Sequence, residues 1–135
     1  MVLDCVGVSD APLKILLIDD SEISLHFAQA VLEKAGYDVR GSLSLDDFDK
    51  VMANWSPDVI LSDVQMPGVT GVQLCQMLKA RYETAHVPVV LFSSLPMEEL
   101  EILAGECEAD GFLSKINGLD RLPEELDLLC RSILW

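Results

Sequence analysis

Positive charge is what this sequence has least of. Nine Lys and Arg stand against 23 Asp and Glu, giving a formal net charge of -14 at pH 7. A field of that sign repels polyanions and attracts cations and basic protein surfaces, so direct binding of nucleic acid is excluded as a function class. Most of these carboxylates are expected to form a solvated surface. Cysteine is sparse as well: Cys5, Cys75, Cys107 and Cys130 are scattered and form no CxxC pair. That spacing offers neither a zinc site nor a dense disulfide framework, and free thiols in a reducing cytosol are expected. No apolar run approaches the ~20 residues of a membrane span, and the start Met1-Val2-Leu3-Asp4-Cys5 lacks the basic residues of a signal peptide. Membrane insertion is therefore not expected, and a cytoplasmic location is. The two histidines, His26 and His86, have no partner at metal-ligand spacing.

What the sequence does contain is a regular alternation of short apolar runs and longer helical patterns. At 135 residues and 50% hydrophobic content it can bury a real core as one domain. Residues 1–12 read as a lead-in closed by Pro12, and residues 13–135 as the domain. Strands are expected at Leu13 to Ile18, Tyr37 to Gly41, Val59 to Ser62, Val89 to Phe92 and Gly111 to Ser114. Helices are expected at Ser21 to Ala35, Leu45 to Asn54, Val69 to Tyr82, Met97 to about Cys107 and Leu122 to Ile133. The last shows the clearest stripe, with Leu122, Leu126, Leu129 and Ile133 on one face. Five such βα units imply an α/β fold with an open parallel sheet, helices on both faces and right-handed crossovers. The working crevice of such a sheet lies beyond the carboxyl ends of its strands, where strand order reverses.

Four strands finish in polar groups of complementary chemistry. The run Ile15 to Ile18 ends in Asp19-Asp20, Val59 to Ser62 in Asp63, Val89 to Phe92 in Ser93-Ser94, and Gly111 to Ser114 in Lys115. Crowding Asp19, Asp20 and Asp63 into one crevice is unfavourable unless a proton or a cation neutralises them. Mg²⁺, which prefers oxygen ligands and commonly takes one or two carboxylates plus phosphate oxygens, suits Asp20, Asp63 and a backbone carbonyl just after Asp63. Lys115 adds a mobile charge suited to a phosphoryl oxygen or to Asp63 itself, and Ser93 adds a hydroxyl. Each residue also has a plainer use. Asp20 or Ser21 could cap the first helix, Asp63 could be a turn residue before Met66-Pro67, Lys115 a solvated lysine, Phe112 a core residue, and Ser93 a local backbone partner.

Taken in order, these residues resemble the receiver domain of two-component response regulators, of the chemotaxis-regulator-like kind. The resemblance rests on Asp19-Asp20, Asp63 with Met66-Pro67 and Gly71, Ser93, Phe112 and Lys115. It implies a flavodoxin-like doubly wound (βα)5 three-layer sandwich with strand order 2-1-3-4-5. It also implies phosphoryl transfer to Asp63 from a sensor histidine kinase or a histidine phosphotransfer protein, with Mg²⁺ as cofactor. Asp20 would then bind the metal directly, Asp19 largely through metal-bound water, and Gln65 through its backbone carbonyl. Lys115 and Ser93 would take phosphoryl oxygens. Phe112 would turn inward with Ser93, changing the face formed by the fourth helix, fifth strand and fifth helix, where a downstream target, an effector domain or a second copy in a homodimer would bind. Such a chain is a phosphoacceptor and not an enzyme, beyond its self-catalysed phosphorylation and dephosphorylation.

The sequence departs from that pattern at identifiable places. Ile116 follows Lys115 where the family has proline, usually after a cis bond; a cis bond here costs about 3 to 4 kcal/mol, so a trans bond with a reshaped loop is expected. Ser94 stands where Ala or Gly is usual, and Glu108 replaces a glycine before Ala109-Asp110-Gly111. Gln65 and Leu95 stand where the family's hydrolytic water approaches, and Leu95 predicts slow dephosphorylation. Two other readings remain. A degenerate receiver would serve only as a protein-interaction adaptor; an Mg²⁺-dependent aspartyl phosphohydrolase would show a second acid two residues after Asp63, where Gln65 stands.

Overall fold

A computed structural model describes residues 12–64, 71–80 and 85–134. Five strands and five helices alternate: β1 Lys14–Ile18, α1 Glu22–Lys34, β2 Asp38–Ser42, α2 Leu45–Asn54, β3 Val59–Ser62, α3 Gly71–Ala80, β4 Val89–Ser93, α4 Met97–Cys107, β5 Gly111–Ser114 and α5 Leu122–Leu134. All pairings are parallel and the order is β2-β1-β3-β4-β5, the doubly wound arrangement expected of the sequence.

The central strands are apolar on both faces because helices cover both. Alternation along each strand divides the core in two. Ile15, Leu17, Val59, Leu61, Val90 and Phe92 pack with Leu25, Ala28 and Leu32 of α1 and with Leu122, Leu126 and Cys130 of α5. Leu16, Ile18, Ile60, Val89 and Leu91 pack on the other side with Phe48 of α2, Leu74 and Leu78 of α3, and Leu100 and Ala104 of α4. Truncating any of these fully buried leucines to alanine is expected to cost about 2–5 kcal/mol. Cys75, Cys107 and Cys130 are buried free thiols, as expected; Cys5 lies outside the described residues.

Helix ends follow local chemistry. Ser21 caps α1, its Oγ accepting from the Ser24 amide at 3.3 Å, so the capping role falls to Ser21 and leaves the Asp20 carboxylate out of it. Ser44 caps α2 in the same way through Asp47 N at 3.2 Å. Gly36, at φ 102, turns the chain after α1, a conformation in which glycine carries no Cβ penalty. The corresponding place after α4 is held by Glu108, at φ 59 and ψ 37, so the helix ends in the left-handed region although the glycine is missing.

Candidate functional site

Register brings the acidic residues together. Ile18 pairs with Ser62, so the next residues, Asp19 and Asp63, leave β1 and β3 side by side, and Asp63 N donates to Ile18 O at 2.9 Å. Asp19 N in turn donates to Ser42 O of β2 at 3.1 Å. The Asp19 carboxylate is buried and doubly held: Oδ1 accepts from Ser21 N at 2.9 Å and Oδ2 from Lys115 Nζ at 2.7 Å. Asp63 Oδ1 accepts from Val64 N at 2.7 Å. Asp20 is exposed at the rim. One carboxylate oxygen from each of Asp19, Asp20 and Asp63 lies within 4.8 Å of the others.

Lys115 supplies the positive charge. Its Nζ stands 2.7 Å from Asp19 Oδ2 and 3.9 Å from Asp63 Oδ2, and 5.3 Å from the centre of the Phe92 ring. The Lys115–Ile116 bond is trans, as are all bonds among the described residues, and the chain after β5 forms a tight 3-10 turn over Lys115–Asn117. Ser114 anchors this turn by accepting from Ile116 N at 3.1 Å. Sequence reasoning missed Ser114. A serine closing a strand immediately before a turn was the available signal.

Burial pushes the Asp19 carboxyl up, but hydrogen bonds from Lys115 and the Ser21 amide, together with the Lys115 charge, outweigh it and hold the group below the usual carboxylate range. Asp19 is thus ionised and paired in a crevice that already contains two more acids. Among the described residues three carboxylates and one ammonium meet here, and a divalent cation is the kind of ion such an acidic crevice could take. The all-oxygen donor set fits a hard ion such as Mg²⁺.

The remaining expected residues flank this centre. Ser93 ends β4, between β3 and β5 in the sheet; it is buried, and its Oγ accepts from Leu95 N at 3.2 Å. Its register partner is Ser114, the residue before Lys115. Phe112 is half-buried and packs against the second core cluster, so the core reading and the switch reading both remain compatible with its position. Gln65, Met66 and Pro67 lie outside the described residues. Both histidines lie outside the acidic cluster; the His26 ring meets Phe27 edge-on at 5.8 Å.

Comparison with known proteins gives a consistent result. The family model described as "response regulator receiver domain" matches residues 15–127. The chain is 30% identical over 118 residues to the polar-differentiation response regulator DivK of Brucella anthropi, a match covering 85% of this chain and 94% of that protein. It is 35% identical over 102 residues to the response regulator PleD of Caulobacter vibrioides, covering 76% of this chain and only 22% of that longer protein. Among solved structures, the chemotaxis response regulator CheY4 of Vibrio cholerae shares the fold with a TM-score of 0.77 at 24% identity, covering 87% of this chain and 98% of that one. No described helix is long and apolar enough to cross a membrane.

Proposed function

The chain belongs to the receiver family of two-component response regulators, and on that premise we propose that it is a phosphorylation switch whose acceptor is Asp63. The observation that carries this reading is the convergence of Asp19, Asp20, Asp63 and Lys115 at the carboxyl ends of β1, β3 and β5. Asp20 and Asp63, with the Gln65 carbonyl, would hold Mg²⁺, and Asp19 would act through water. When bound, the ion supplies neutralisation of the charge that develops on the transferred phosphoryl group.

The protein's own groups do the rest. Asp63 Oδ1 is engaged by the Val64 amide, which fixes the carboxylate and turns Oδ2 toward Lys115. Oδ2 attacks the phosphorus of a phosphohistidine in line; the new O–P bond forms as the P–N bond breaks, and the departing imidazole keeps the electron pair and takes a proton. Lys115 then meets a phosphoryl oxygen. Ser93 gives up its bond to Leu95 N to meet another, and Phe112 turns inward behind it. Positioning and charge neutralisation supply most of what such a transfer needs.

The donor is a histidine kinase or a histidine phosphotransfer protein. Ile23 and Phe27 on α1, 72% and 54% exposed just beyond Asp20, support docking of an apolar surface at this rim. The output face is α4, β5 and α5, where Met97, Ile102 and Leu128 are large apolar side chains left in solvent. It serves a downstream target, an effector domain or a second copy of the chain. The trans bond before Ile116 still delivers the Lys115 amine to the acids, which supports the switch over the degenerate reading.

The test is incubation with a small acyl phosphate and Mg²⁺, followed by intact mass measurement of the wild type and Asp63→Asn. A single phosphoryl adduct on the wild type and none on the variant is expected. Catalytic release of phosphate without an adduct would point to a phosphohydrolase, and no reaction to a pure adaptor.

A further inference from the structure

The flank of the edge strand β2 carries a group of side chains opposite in charge to the crevice. Arg40 of β2, Lys50, Val51 and Asn54 of α2, and Trp55, which ends α2, line a cavity of 340 Å³. Trp55 is partly buried against the second core cluster, so its ring is fixed, and the Arg40 guanidinium lies over that ring at 5.4 Å from its centre. A cation–π contact of this kind restrains the arginine while its N–H groups stay able to donate. Neither Arg40 nor Lys50 has an ion-pair partner among the described residues, and the two line one cavity. In a chain of net charge -14, these two cations meet at a cavity whose lining contains no carboxylate. Helix capping does not account for Lys50, because α2 has no basic residue in its last turn.

We propose that this cavity binds a small phosphomonoester bearing a flat ring, the class represented by a nucleoside monophosphate. The charge count selects the anion: a phosphate dianion answers both cations, whereas a single carboxylate leaves one unanswered. Arg40 supplies a two-pronged donor and Lys50 a point charge to the phosphate oxygens. Val51 and the exposed part of Trp55 form an apolar wall for the ring, and the Asn54 amide offers both a donor and an acceptor to its edge. The volume lies at the lower end of the ~300–1,000 Å³ usual for small-molecule sites, which suits a mononucleotide. None of the five residues belongs to the acidic cluster, so the site is independent of the phosphoacceptor reading.

The experiment is a fluorescence titration in a Trp135→Phe background, which leaves Trp55 as the sole tryptophan, with EDTA present so that no nucleotide enters through a metal in the acidic crevice. The probes are adenosine and guanosine monophosphate, inorganic phosphate, adenosine and a hexaglutamate peptide. Saturable quenching by at least one mononucleotide is expected, with inorganic phosphate and adenosine each about tenfold weaker or worse, and with Arg40→Gln and Lys50→Gln each weakening binding about tenfold. Circular dichroism establishes that each variant is folded; should Arg40→Gln not fold, Lys50→Gln carries the comparison. The proposal fails if no mononucleotide saturates, if inorganic phosphate binds as tightly, if the folded variants bind like the wild type, or if hexaglutamate is preferred, which would make the cavity a contact for an acidic protein.

Discussion

Lys115 hydrogen-bonds Asp19 and pairs with Asp63 only at longer range: its Nζ is 2.7 Å from Asp19 Oδ2 but 3.9 Å from Asp63 Oδ2. The amine therefore occupies a carboxylate oxygen of one of the three clustered acids, and a cation entering that cluster would meet its repulsion. Removing the amine is expected to have opposite effects on metal binding and on phosphoryl acceptance. Lys115→Gln should bind Mg²⁺ about tenfold more tightly by calorimetry while forming far less adduct with an acyl phosphate. Unchanged or weaker Mg²⁺ binding would show that the Lys115–Asp19 bond does not oppose the ion.

Glu108 occupies a left-handed conformation, at φ 59, that costs an ordinary residue about 1 kcal/mol or more relative to glycine. Its amide is in the right place, since the cap N–H bonds back to Ala104 O, so the strain is confined to the residue itself. Glu108→Gly should raise stability by about 1 kcal/mol, or the thermal midpoint by about 4 °C. A midpoint that falls would mean that the glutamate side chain is a net stabiliser of the α4 end.

Those two positions also show where the sequence was informative and where it stopped. Strand ends and polar termini were readable because apolar runs such as Ile15-Leu16-Leu17-Ile18 need helices on both faces, and parallel strands must deliver their last residues to one edge. Asp19, Asp20, Asp63 and Lys115 accordingly meet as expected. Which acid holds the lysine was not readable, because it depends on the turn after β5, where Ser114 fixes Ile116 in a trans chain. The helix end at Glu108 was flagged by a missing glycine, but side-chain identity alone does not say whether the backbone changes or the residue bears the strain. Arg40 and Trp55 lie 15 positions apart on separate elements, and no local pattern announces their contact.

Ser42 is 1% exposed at the carboxyl end of β2, and its Oγ has no hydrogen-bond partner among the described residues. Its carbonyl is used by Asp19 N, so the backbone is satisfied and the hydroxyl alone bears the desolvation. Replacing an unsatisfied buried hydroxyl by a hydrogen removes that penalty and leaves a space too small to collapse. Ser42→Ala should therefore be neutral or stabilising by up to about 1 kcal/mol in chemical denaturation, the reverse of the usual loss on truncation. A loss of more than about 1 kcal/mol would mean that the hydroxyl is bonded in solution.

Tyr37 sets a limit on stability at high pH. It lies between α1 and β2, its amide bonded to Leu32 O at 3.1 Å, and it packs against the first core cluster beside α5. Burial pushes its hydroxyl up to about 12, reinforced by the charge of Asp127 and by Cys130 and partly offset by Arg131. Because the folded form holds its proton more tightly than the unfolded chain, this contribution is complete below about pH 10 and is lost as pH rises toward 12. The full loss is about 1–2 kcal/mol once the half-exposed ring is allowed its solvent screening. Burial likewise raises Cys130 to about 11, which adds an earlier loss common to the wild type and any tyrosine variant. Urea midpoints compared at about pH 8 and about pH 11 should fall less for Tyr37→Phe than for the wild type, since phenylalanine cannot ionise in either state. Equal falls would place the alkaline sensitivity elsewhere, with Cys130 the next group to replace.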